Sequence, residues 1–331
     1  LGPGYLADDG PESKGAVGMN QMNPLLYMVG AACLFSFTEI TLKILNGSLN
    51  CLEVNFSRYI LAGIILLPLA LLDLRKRQVR LNRTHFLWFQ LLGFIGIALV
   101  GPAYQLASCL LQANVTSILF SLNPMFIAIM AMVVLCEPLS HHQWAALLFD
   151  IGAVFVLVNP MQMTMDPIGL LLLFFTIFCY SFYAVIGKKM IDELGSAMAT
   201  AGSFLAGGVQ LFLLACCTHI PAVAAWLVQM GLPDFAEVSL FGGYTVENIG
   251  WVLLLVFGVT LGGYIFWFKA METGSTFIGR LTYFIKPALS PFMALIFLNE
   301  AITGRILLGV FLLLIGAAVS LNKDKPQPAL D

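Results

Sequence analysis

"NPMFIAIMAMVVLCE", Asn123 to Glu137, returns 163 positions later as "KPALSPFMALIFLNE", Lys286 to Glu300. Each copy places a proline behind its first residue, then an apolar run, then a glutamate. At the same shift Phe94 meets Phe257 and Ala107 meets Ala270, and after one inserted residue Gly152 meets Gly316. Earlier in the chain a shift of 145 lays Lys43 on Lys188, Gly63 on Gly208, and the "SF" at Ser36 on the "SF" at Ser181. Leu and Ile coincide by chance in any apolar helical protein. The Pro, Glu, Gly and Ala coincidences are what reveal a duplicated unit.

The composition says where that unit lives. The 331 residues are 60% hydrophobic and 10% charged, with a mean hydropathy of +0.91. A soluble domain carries about 25% charged residues, so this chain cannot coat a water-facing surface. It reads as an all-α polytopic membrane protein. A spanning helix needs about 20 apolar residues, and backbone groups in lipid must be satisfied within the segment. Apolar runs punctuated by Gly, Pro, Asn and charge predict ten helices, at 25–46, 51–73, 85–108, 115–136, 142–159, 168–190, 196–218, 249–270, 275–298 and 303–321. Five spans per copy put the halves upside down relative to each other, the inverted-repeat pattern of transporters, with a site expected near the midplane. The predicted organisation is a disordered tail at 1–23, repeats at 24–160 and 167–321, and a cytoplasmic tail at 322–331. The tail "LGPGYLADDGPESKGAVG" lacks the basic start and apolar core of a signal peptide, and Met19 is a candidate start.

Basic residues set the orientation. "LRKRQVRLNR" (74–83), Lys188 with Lys189, and Lys323 with Lys325 all fall on one side if both termini are cytoplasmic. The connection from His219 to Ile249 has Asp234, Glu237 and Glu247 but no Lys or Arg, and its "PAVAAWLVQM" suits a short interfacial helix. Arg305 is the exception. The expected location is the plasma (inner) membrane, with the lipid bilayer as a partner. No basic patch interleaved with aromatics supports nucleic-acid binding. The seven cysteines show no metal-ligand spacing. Cys51, Cys109 and the Cys216-Cys217 pair fall near one face, so both a disulfide and a role as small apolar fillers stay open. No cofactor and no metal are expected.

"YQLASCLLQANVTSILFSLNPMFIAIMAMVVLCEPLS" (104–140) and "FWFKAMETGSTFIGRLTYFIKPALSPFMALIFLNEAIT" (266–303) resemble the drug/metabolite transporter superfamily, specifically its EamA-type members. "FSRYILAGIILL" (56–67) fits as well, its Arg58 matching an arginine that family often has in the second span. The resemblance covers about residues 24–321. It implies a ten-span carrier of amino acids, other small metabolites, drugs or sugar conjugates. Cys136 and Asn299 stand where the family usually has Gly before Glu137 and Glu300, and Lys286 replaces a more usual neutral residue; these departures leave the substrate open.

Lys286 lies midway along the ninth span, beside Pro287, which removes an amide donor and loosens the helix. Helical spacing adds Thr282, Tyr283 and Ser290 to its face. Asn123 with Pro124 is the equivalent in the first half. Substrate contact by Lys286 competes with snorkelling, although a midplane lysine cannot reach an interface across about 15 Å. Asn123 is equally suited to an interhelical hydrogen bond. Lys286 is expected to hold an anionic or zwitterionic metabolite, an amino acid or organic acid, with Tyr180, Tyr183 and Trp267 as further lining; Tyr104 and Tyr264 are candidates of the same kind.

Glu39 and Arg58 sit at equal depth on consecutive spans, which predicts an ion pair, either structural or a gate. Asp150 is a carboxylate midway along span five, suited to proton coupling or to a helix contact. Arg280 is assigned to a cytoplasmic gate or to structure, and Glu137 and Glu300 to capping matching helices at opposite faces. The expected function is secondary transport by alternating access, in the export direction, with proton coupling and a homodimer left open. A membrane-embedded enzyme and a scaffold are the rivals. The four histidines, His85, His141, His142 and His219, fall at membrane edges, and no HExxH or GxSxG motif appears.

Overall fold

The computed structural model describes residues 23–136, 138–159, 165–273 and 276–320, apart from the side chains of 271–284. Every regular element among them is helical. Eight helices are long and apolar enough to cross a bilayer: α1 (Pro24–Leu45), α2 (Cys51–Lys76), α3 (Arg83–Leu110), α4 (Ala113–Leu135), α5 (His141–Val158), α6 (Pro167–Leu194), α7 (Ser196–Cys217) and α8 (Ile249–Ala270). Two more apolar helices follow, α9 (Thr276–Leu298) and α10 (Gly304–Ser320). All ten expected spans appear as helices, but these last two are not among the eight, α9 having 23 residues. α10 has 17 residues, about 26 Å against a hydrocarbon core of about 30 Å. Only Ile285–Leu298 of α9 enters with its side chains. The short helix Pro221–Gln229 lies in the α7–α8 connection.

The helix ends follow from their residues. Side-chain oxygens of Asn23, Asn50, Asn82, Ser140 and Asp166 accept hydrogen bonds from first-turn amides, satisfying donors that lipid could not. At Asn82 and Ser140 the third helical residue, His85 or Gln143, answers by accepting from the cap's own amide. All seven cysteines are free.

The spans themselves are interrupted where the repeats correspond. α3 passes through a π-helical segment at Phe94–Leu99, and α8 through one at Leu254–Gly262. Shifted by 163, the first falls on 257–262, inside the second. π-Helical turns inside α-helices are frequent at functional sites. α1 breaks at Phe37, between Pro24–Ser36 and Thr38–Leu45. The hydroxyls of Ser36, Thr38 and Thr41 donate back to the carbonyls of Ala32, Phe35 and Phe37, which bends helices.

α4 is itself divided into Ala113–Phe120 and Asn123–Leu135. α7 packs on α2 and α3, α10 on α5, α3 on α6, and α6 on the second part of α4. α1 packs on α8 and α9, and α9 on the first part of α4. Where α3 crosses α7 the backbones meet directly: a Cβ on Gly93 would lie 2.5 Å from the Gly207 nitrogen. Small residues allow this approach, and van der Waals contact is what holds helices together in lipid.

Candidate functional site

The break in α1 turns Glu39 into the protein interior, where it is 0% exposed. Its Oε1 accepts from the Lys286 ammonium of α9 at 2.7 Å and also from the Tyr104 hydroxyl of α3. Oε2 is buried with no partner among the described residues. The Lys286 ammonium also stands 5.4 Å from the centre of the Phe120 ring. Here the sequence expectation is corrected. Glu39 pairs with Lys286 and not with Arg58, because α1 lays its face on α8 and α9 and not on its sequence neighbour α2. For the same reason Lys286 is no free ammonium waiting for an anion.

Lys286, Tyr104 and Phe120 border a cavity of about 140 Å³. Cavities of about this size accept a benzene-sized molecule. Its walls are aromatic. One run of touching rings is Tyr104, Phe120, Tyr180 and Tyr183, with centroids 4.6, 5.6 and 5.8 Å apart. The other is Tyr59, Phe204, Tyr264 and Trp267, at 5.0, 5.1 and 6.4 Å. Gly96, in the π-helical part of α3, lets the Tyr183 ring lie on its backbone, since a Cβ there would come within 2.4 Å of the ring. Arg58 reaches the cavity from α2, its Cζ 4.6 Å from the Tyr59 ring centre. Its Nε is buried without a hydrogen-bond partner among the described residues.

Tyr180, Tyr183 and Trp267 thus share one cavity with Lys286 and Arg58. Asn123 does not join them. Pro124 cannot donate to the carbonyl of Phe120, and the Asn123 side-chain amide does so instead, at 2.8 Å. Asn123 is fully buried, its Oδ1 accepting from the Ser181 hydroxyl at 3.3 Å. It repairs the break that Pro124 makes in α4. Asp150 lines a separate cavity of about 480 Å³ between α4, α5, α6 and α10, where its Oδ1 lies 2.8 Å from the place a Cβ on Gly316 would take. The side chains of Thr282, Tyr283 and Arg280, and all of Glu137, lie outside the described residues. Phe35, Tyr59, Phe120 and Phe204 line the cavity without having been singled out in the sequence. With 26 phenylalanines in the chain, ring content alone could not mark them; the one usable signal was Tyr59 directly following Arg58.

A second ion pair ties the same helices at their far end. Glu300, just beyond α9, accepts from Lys43 of α1 at 2.9 Å. Its two oxygens also take the amides of Ala113 and Asn114, at 2.8 and 3.1 Å, so Glu300 caps α4. Lys43 further donates to the Leu111 carbonyl at 2.9 Å.

The sequence model of the EamA-like transporter family matches the chain twice, over residues 22–159 and 167–322. An uncharacterized transporter of Clostridium kluyveri is 25% identical over 310 residues, covering 91% of this chain and 93% of its own. The protein PecM of Dickeya dadantii is 25% identical over 220 residues, 66% of this chain and 68% of its own. A solved crystal structure superimposes with a TM-score of 0.59 at 17% identity, over 91% of this chain and 98% of that one, which shows a shared fold.

Proposed function

Since this chain belongs to the EamA-like transporter family, we propose that it is a secondary transporter that carries a small anionic or zwitterionic metabolite, an amino acid or organic acid, through the central cavity by alternating access. The observation that carries this reading is the Glu39–Lys286 pair. It joins the first matched repeat to the second beside an aromatic cavity large enough for one small molecule, which Lys286 lines. Sliding the halves against each other must stretch or re-form that bond.

Ten spans with both termini cytoplasmic, in the plasma membrane, complete the proposal. The packing pattern supports inverted halves. If α1 to α5 correspond to α6 to α10, each principal contact has its counterpart: α1 on α8 answers α6 on α3, α1 on α9 answers α6 on α4, and α2 on α7 answers itself. Export is the proposed direction, as the resemblance of the sequence implies.

Glu39 also suits proton coupling. It bonds Lys286 from α9 and Tyr104 from α3, and its second oxygen has no partner among the described residues. A proton there would release Lys286. The test is flux in proteoliposomes loaded with candidate amino and organic acids. Imposed proton gradients should drive uptake by the native protein. Glu39→Gln should retain exchange of labelled for unlabelled solute while losing the response to the gradient. Flux that ignores Glu39→Gln would overturn the coupling role, and no solute-dependent flux under any gradient would overturn transport.

A further inference from the structure

We propose that Arg58 is the anchor for the anionic group of the ligand, and that the ligand is a ring-sized organic monoanion; the inference rests on the central cavity being the substrate site. Among the described residues the charged side chains that line the cavity are Lys286 and Arg58, and Glu39 stands behind Lys286. Glu39 and Lys286 cancel at 2.7 Å. Arg58 is left over: it makes no ion pair with a described residue, its Nε has no acceptor, and the residue is 9% exposed. A guanidinium whose charge meets only the Tyr59 ring among the described residues is costly in so dry a place, and the cost is removed by an anion that brings its own oxygens. A carboxylate matches the guanidinium fork, taking two parallel N–H bonds.

The rest of the cavity selects the body that carries the carboxylate. Its two aromatic runs leave a slot of about 140 Å³ with Arg58 beside Tyr59 at the head of one run. Flat apolar surface is what such walls bind well. The ammonium of a zwitterion finds no acceptor of opposite charge, because the only described carboxylate nearby, Glu39, is fully buried and already holds Lys286. One negative charge on a single ring therefore fits better than an amino acid or a dicarboxylate.

The test uses the full chain purified in detergent and three probes: benzoate, benzyl alcohol (the ring without the charge) and acetate (the charge without the ring). Calorimetric titration should show benzoate binding at least about 10-fold tighter than either, the worth of one charged hydrogen-bond contact. Arg58→Gln should erase the preference of benzoate over benzyl alcohol, and Arg58→Lys should keep part of it. Lys286→Gln should weaken both ring probes yet leave the preference in place. If instead the preference survives Arg58→Gln and disappears with Lys286→Gln, Lys286 is the anchor and the assignment to Arg58 is wrong, while the cavity remains the substrate site. If native protein prefers benzyl alcohol, the monoanion is wrong whatever flux is measured. Should Arg58→Gln fail to fold, an unchanged preference in Arg58→Lys would still overturn the proposal, because a lysine cannot reproduce the two-pronged contact.

Discussion

Two ion pairs tie α1 to α9, one turn apart on α1, and they are built differently. At the outer pair, Glu300 receives Lys43 and two backbone amides, so both carboxylate oxygens are satisfied. The Lys43 side chain is 28% exposed there and has a carbonyl as a second acceptor. At the inner pair, Glu39 takes two donors on one oxygen, and its other oxygen, in a site closed to solvent, has no partner among the described residues. The outer pair is a helix cap to which a lysine has been added, and every bond it needs is made. The inner pair leaves one oxygen unmatched among the described residues, and a buried polar atom without a partner costs free energy. The inner pair stands beside the central cavity that Lys286 lines, so it is where the working states should differ.

That contrast is broken most directly at Lys286. Lys286→Met strands a buried carboxylate and should lower stability by about 3–5 kcal/mol. Adding Glu39→Gln should recover most of it, whereas Glu39→Gln with Arg58→Gln should show no such recovery. Chemical unfolding in detergent across this set checks the assignment. Equal loss in Lys286→Met and in the double variant would mean that the two side chains do not depend on each other.

Asn123→Ala comes next. It leaves the Phe120 carbonyl exposed by Pro124 without a donor, at about 1–3 kcal/mol. Phe120 also lies under the Lys286 ammonium, so the shift of α4 should reach the inner pair while the outer one stays intact. The expected readout is a lower midpoint of unfolding with unchanged preference among charged and neutral ring probes. Glu300→Ala should cost about 1–2 kcal/mol, as lost caps do. Glu300→Gln, which keeps acceptors for the Ala113 and Asn114 amides, should lose less. If the two substitutions are equally damaging, the charge on Glu300 matters more than the cap.

The smallest effect belongs to a third pair that does neither job. Arg77 and Asp73, four residues apart at the end of α2, are 2.9 Å apart with side chains 44% and 33% exposed. Asp73→Asn should change stability by no more than about 0.5 kcal/mol, within the range of exposed helical pairs. A larger loss would mean that ion pairs at this membrane edge are worth more than their exposure suggests, and the outer pair would then need the same revision.

Hydropathy and helix punctuation are local quantities, so the apolar runs, their caps and the two copies with matching Pro, Gly and Glu were legible from residue order alone. Membership of a transporter family was legible for the same reason, as was the identity of the unusual charges, Glu39, Arg58, Asp150 and Lys286, because a charge inside an apolar run stands out wherever the run folds. Partnership was not. Depth along a span can be counted, and by depth Glu39 and Arg58 match; but α1 turns at Phe37 and rests on α8 and α9, which hands Glu39 to a lysine 247 residues away. Asn123 could be seen as a polar residue beside a proline, but its turn inward to the Phe120 carbonyl depends on a single rotamer. The aromatic slot depends on rings from α2, α3, α4, α6, α7 and α8 meeting at one place. Which face each helix shows, and to which neighbour, is decided by packing over the whole molecule.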